Sequence, residues 1–194
     1  MSRWLGAALA LCVLAGGAAR AEPVTLHGLT FSDELGGFEI RGVSGSGTLA
    51  DPFVLVEEIF DQEPAIMVIR GMSHRFGNRI RSHHEIGFAM TKIVHNRTEQ
   101  AWSLFNIELR ELIDYYSPFG DGLSFGQATD AGRPFVSDRF GDLIETREPY
   151  DGLQFIDGQV RPGESASMSF VVTDTTPRWE FFLVQTRDSP LAMR

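Results

Sequence analysis

Between Arg70 and His84 the chain carries Arg70, His74, Arg75, Arg79, Arg81 and His83 and not one acidic residue. Guanidinium forks match the geometry of carboxylates and phosphates, so this grouping suits an anion or the acidic face of a partner. Arg70, His74, Arg79, Arg81 and His83 are therefore the candidate anion-binding or partner-binding residues. An acidic glycan or an acidic protein is the expected partner class. His74, His83 and Glu85 have the donor types of a metal site, but the neighbouring arginines would repel a cation, and no metal is assigned. A solvated tip whose arginines pair with the protein's own acids has the same sequence signature.

The register of a hairpin would decide which of these side chains share a face. Gly77-Asn78 reads as a two-residue turn. It places Phe76 opposite Arg79, His74 opposite Arg81, Met72 opposite His83 and Arg70 opposite Glu85. The other face then pairs Ile69 with Ile86, Met67 with Phe88 and Ala65 with Met90, an apolar surface suited to cover a core. His84 falls on that core-facing side and is expected to be hydrogen-bonded.

Short runs rich in Val, Ile, Phe and Thr, bounded by Gly, Asp and Pro, recur along the chain. They predict strands at 24–31, 38–43, 53–59, 65–76, 79–94, 101–109, 123–127, 153–156, 167–173 and 179–185. Turns are expected at Gly36-Gly37, Gly45-Ser46-Gly47, Asp121-Gly122, Asp157-Gly158 and Pro162-Gly163. The predicted fold is all-β, an immunoglobulin-like antiparallel β-sandwich with a long irregular loop region between Asp114 and Gly152. Leu109, Leu112, Ile113 and Tyr116 allow one helical turn at most. Asp130, Asp138, Asp142, Glu145 and Asp151 would have to converge from loops to bind calcium or cleave a glycoside. Trp102 and Trp179 sit within apolar runs and read as core.

The first residues supply the compartment. Arg3, the apolar stretch from Leu5 to Ala15 and Ala19-Arg20-Ala21 predict a signal peptide over residues 1–21, cleaved after Ala21, with residues 22–194 as a single domain. The apolar stretch is shorter than the about 20 residues of a transmembrane helix, so no transmembrane segment is expected. The location expected is the periplasm or the extracellular space. The lone cysteine, Cys12, lies inside the leader after Leu11, which argues against lipidation and leaves the mature domain without thiol chemistry. The net charge of −9 argues against nucleic-acid binding. Lys92 is the single lysine among 17 basic residues, a bias in keeping with a GC-rich genome. No nucleophile elbow, zinc helix, phosphate loop or dinucleotide fingerprint occurs, so no catalytic residue and no cofactor is assigned.

Asn96-Arg97-Thr98 with Trp102, Phe105 and Leu109, and later Phe155, Gly158, Val160, Pro162-Gly163-Glu164, Phe170 and Phe181-Phe182-Leu183, resemble the β-sandwich domain of bacterial exported PEP-CTERM proteins. The resemblance spans roughly the second half of the chain and implies a sandwich and export. The chain departs from that family at its end, Ser189-Pro190-Leu191-Ala192-Met193-Arg194, which lacks the Pro-Glu-Pro sorting signal. Gly45-Ser46-Gly47-Thr48 with Asp51-Pro52-Phe53 resembles a turn-plus-strand opening of bacterial surface proteins. Two functions are expected. The first is a non-enzymatic exported binding or structural module with a local cationic patch. The alternative is a hydrolase of an envelope polysaccharide using carboxylates between Asp114 and Gly152.

Overall fold

A computed structural model describes residues 22–115, 117, 120–126, 135–146 and 151–187. The predicted signal peptide with Cys12, and also Tyr116, Gln127, Asp130 and the terminal hexapeptide, lie outside the described residues. Thirteen strands form two sheets: β1 (Val24–Leu26), β2 (Leu29–Ser32), β3 (Phe38–Ser44), β4 (Phe53–Ile59), β5 (Ala65–Arg70), β6 (Ile86–Asn96), β7 (Phe105–Arg110), β8 (Leu123–Ser124), β9 (Val136–Ser137), β10 (Phe140–Thr146), β11 (Gly152–Gly158), β12 (Ser165–Asp174) and β13 (Glu180–Thr186). One sheet runs β1-β2-β5-β13-β7-β11-β10 and the other β3-β4-β6-β12-β8, with β9 also on β12. Their apolar faces meet in one core that takes residues from both sheets. The fold is an all-β sandwich.

Alternation explains why the sheets face as they do. Phe53, Leu55, Glu57 and Ile59 of β4 point inward, as do Phe88, Met90, Lys92 and Val94 of β6 and Phe181, Leu183 and Gln185 of β13. Pairing is antiparallel throughout except between β4 and β6, which run parallel with Phe53 beside Met90 and Ile59 beside Asn96. The two sheets are otherwise antiparallel, as expected of the sandwich. A parallel pair needs a crossover, and here β5 supplies it by visiting the other sheet.

The predicted Gly77-Asn78 hairpin does not form. β5 pairs with β2 and β13, β6 pairs with β4 and β12, and the two strands lie in opposite sheets. Residues 71–85 carry the chain from one sheet to the other. Three side chains fix that crossing. Met72 and Phe76 enter the main core, where the Phe76 ring lies 6.4 Å from Phe53 and 5.8 Å from Phe88. Ile80 packs instead on Ala89 and Val171, on the outward face of the second sheet. Close approach at Gly87 permits this, because a Cβ there would stand 2.8 Å from Ile80 and 2.9 Å from the Ser82 hydroxyl.

Other boundaries shift as well. The 24–31 strand is broken by a His27-Gly28 turn that pairs Leu26 with Leu29. The region between Asp114 and Gly152 is less irregular than expected, since β10 is a seven-residue strand pairing with β11. Its burial is broken, with Ile144 exposed, which hides an edge strand from a pattern search. Residues 109–113 make no helix; Leu112 and Tyr115 form an isolated bridge. Trp102 is core as expected, but Trp179 is 65 % exposed because it stands just beyond the end of β13. No helix of the described residues is long and apolar enough to cross a membrane.

Candidate functional site

The connections at one end of the sandwich gather the charged residues. The predicted cationic set is spread over that end rather than collected on one face. Arg70, on the outward face of β5, donates two bonds to Glu34, at 2.6 and 2.9 Å, and one to Glu180, at 2.6 Å. Two carboxylates thus neutralise it. The expected facing of Arg70 and Glu85 is replaced by the strand pair Arg70 with Glu180. His74 Nδ1 meets the Glu85 carboxylate, both side chains being well exposed.

Arg79 turns inward. Its guanidinium stacks 4.1 Å from the Phe76 ring centroid and donates to the carbonyls of Ser46 and His27 at 2.5 and 3.0 Å. It therefore ties the β1–β2 turn to the β3–β4 connection. Desolvation lowers its proton affinity. Arg79 is a structural clamp, which corrects its assignment as a solvent-facing docking residue.

Arg81 and His83 stay exposed, and so does Arg75. Arg81 sits at φ 59°. For a side chain with a Cβ that region costs about 1–3 kcal/mol unless the surroundings impose it. Asn78 imposes it here. Its Oδ1 accepts from the backbone N–H of Ile80 and Ser82, and its Nδ2 donates to the carbonyls of Ser82 and His84. Asn78 is thus the hub of this loop rather than a hairpin-turn residue. Arg75 and Arg81 have no hydrogen-bond or ion partner among the described residues. His84 is half-buried, its proton affinity lowered by burial and by His83, and its Nδ1 has no partner, contrary to the hydrogen-bonded histidine expected.

A second cluster was not foreseen. Glu111 beyond β7, Asp121 before β8 and Asp174 at the end of β12 converge between the two sheets, with Arg178 donating to Glu111 at 2.6 Å. Asp121 Oδ1 accepts from the Leu123 N–H at 3.0 Å, and Asp174 Oδ1 from the Thr176 N–H at 2.8 Å. Glu111 Oε1 and Asp121 Oδ2 are buried without a partner. Burial pushes Glu111 up to about 7; Arg178 opposes this while Asp121 and Asp174 add to it. Burial likewise lifts Asp174 to about 6 and raises Asp121. A carboxyl held protonated near neutrality can donate a proton. No stretch of sequence signals this cluster, because Glu111 and Asp121 stand at opposite ends of the connection between β7 and β8, Asp174 closes β12 far along the chain, and each reads as a solvated acid. Two of the loop acids singled out earlier are engaged elsewhere: Asp138 accepts from the Ser167 N–H and Asp142 from the N–H of Leu143. Among the described residues no group of three or more His, Cys, Asp or Glu could hold a metal ion.

The chain matches no known protein family, no curated protein sequence and no solved structure. Asn96 Nδ2 donates to the carbonyls of Gln100 and Val160 while Oδ1 accepts from the Thr98 N–H and hydroxyl, so the turn Asn96-Arg97-Thr98 leaves no free amide. Asn96 itself is fully buried.

Proposed function

We propose that this protein is an exported, non-enzymatic β-sandwich module that docks an anionic partner through Arg75 and Arg81 on the connection between β5 and β6. One observation carries the reading: an arginine occupies a left-handed backbone position on a loop whose conformation is otherwise fixed. Glycine or asparagine would fill that position at lower cost. Phe76, Asn78 and Ile80 hold the loop from both faces of the sheet, so the backbone that presents Arg81 needs no ordering on binding. The signal-like leader and the thiol-free domain support an extracytoplasmic place of action.

The test is binding of the folded domain to polygalacturonate, a carboxylated glycan, with neutral dextran as control. Binding to the polyanion and not to dextran is expected, and it should weaken as salt shortens the Debye length from about 10 Å to about 3 Å. Arg75→Ala combined with Arg81→Gly should lower affinity at least tenfold while the melting temperature holds or rises, since glycine relaxes the backbone at position 81. Equal binding by the double variant, or indifference to salt, would overturn the reading.

A further inference from the structure

The one lysine of the sequence is also the least expected side chain in the core. Lys92 of β6 and Glu57 of β4 are both fully buried, and Lys92 Nζ lies 2.6 Å from Glu57 Oε2. Gln185 of β13, fully buried as well, crosses from the opposite sheet and places its Nε2 3.5 Å from that same Oε2. An amine, a carboxyl and a carboxamide thus meet between two sheets. The Phe38 ring centroid stands 6.0 Å from Nζ. Two oxygens of this group, Glu57 Oε1 and Gln185 Oε1, are buried with no hydrogen-bond donor. A buried ion pair is costly to desolvate, and orphaned oxygens add to that cost.

We infer that Lys92 and Gln185 become joined by an amide bond across the sandwich, with Glu57 carrying the protons. The balance closes without any oxidant or co-reactant. Glu57 takes a proton from the Lys92 ammonium, giving a free amine and a neutral carboxylic acid. The Nζ lone pair attacks Gln185 Cδ, and the Glu57 acid protonates the carboxamide oxygen as it loses its double bond. The proton shed by Nζ returns through Glu57 to the departing nitrogen, the Cδ–Nε2 bond breaks, and one ammonia leaves. As the carbonyl re-forms, the hydroxyl on Cδ returns its proton to Glu57, which ends as a neutral acid.

Three features favour the step. Burial pushes the Lys92 ammonium toward the neutral amine, against the pull of Glu57. Both nitrogens lie within 3.5 Å of one carboxylate oxygen, so Glu57 holds the two reactants together and stands where it can pass protons between them. The product also resolves the orphaned groups. A neutral Glu57 can donate its O–H to the new amide oxygen and accept the new amide N–H, leaving no buried charge. Because Lys92 belongs to one sheet and Gln185 to the other, the bond would staple the two layers in a domain that has no disulfide to do so.

The single lysine makes the test direct. The folded protein is denatured and its amines exhaustively dimethylated, then weighed intact and fragmented. One dimethylated amine, the N-terminus, is expected, together with a mass lower than the residue sum by one ammonia and a fragment joining the Lys92 and Gln185 peptides. Gln185→Leu should restore both the mass and the second reactive amine while keeping the Lys92–Glu57 pair. Two labelled amines and the full residue mass in the wild-type protein would overturn the inference, whatever the variant does. So would loss of water with a Lys92–Glu57 linkage, or loss of ammonia traced to another residue.

Discussion

Arg79 and Arg81 are two positions apart and do opposite things, and side-chain direction is what separates them. Arg79 lays its guanidinium on Phe76 and binds two backbone carbonyls, so its charge is spent on holding connections together. Hydrogen bonds to a charged donor are worth about 1.5–3 kcal/mol, and cation–π contact adds to that. Arg79→Ala should therefore lower the melting temperature, by about 2–4 °C for each kcal/mol lost in a domain of this size. Arg75→Ala, at an exposed position with no partner among the described residues, should leave it within a degree or so of wild type. Paired thermal melts check both, and equal melting of the two variants would refute the clamp.

At the scale of elements, the crossing of residues 71–85 depends on a thin spot in β6. Gly87 and Ala89 are the small outward residues against which Ile80 lies. Gly87→Val would drive a side chain into Ile80, Ser82 and Asn78, an overpacking worth about 1–3 kcal/mol. Proteolysis should then cut the variant within residues 71–85 at a protease level that leaves wild type intact; unchanged resistance would refute this packing. Strands were legible in the sequence because alternation is local, and β4 was placed at its true limits, Phe53–Ile59. Partners were not legible. Met67, Ile69, Phe88 and Met90 all face the core, as the hairpin register required, yet they do so from opposite sheets. Alternation says which side chains face inward and nothing about which strand lies alongside. The same limit hid Glu111, Asp121 and Asp174, whose approach depends on strand order, while the cationic run at 70–84 was visible as composition and misplaced as geometry.

The whole molecule should respond to pH through that carboxylate seam. Glu111 and Asp174 hold their protons more tightly in the folded chain than in the unfolded one, where ordinary values are about 4.3 and 3.9. The folded state is thus favoured in acid; that contribution is complete below about pH 4, where both states are protonated, and is lost as pH rises from there through about 6 for Asp174 and about 7 for Glu111. The groups facing Glu111 and Asp174 are Asp121, Arg178 and Glu85, the last paired with His74. Glu58 acts in the opposite sense, since bonds from Arg97 and Arg41 hold its proton affinity down, so its contribution fades only in stronger acid. The melting temperature should therefore be higher at pH 5 than at pH 8, and Glu111→Gln should flatten the difference mainly by raising the value at pH 8. A melting temperature that rises toward pH 8 would refute the assignment.

The position of β13 has a consequence for the order in which the molecule can be made. It is the last of the described strands, yet it lies in the middle of its sheet, between β5 and β7. Until Glu180–Thr186 has emerged from a ribosome, β5 and β7 each keep a bare edge, and the sheet exists only as two unjoined parts. A chain made from its N-terminus stays unable to complete its core until then, and closure comes as that strand slides into the waiting gap.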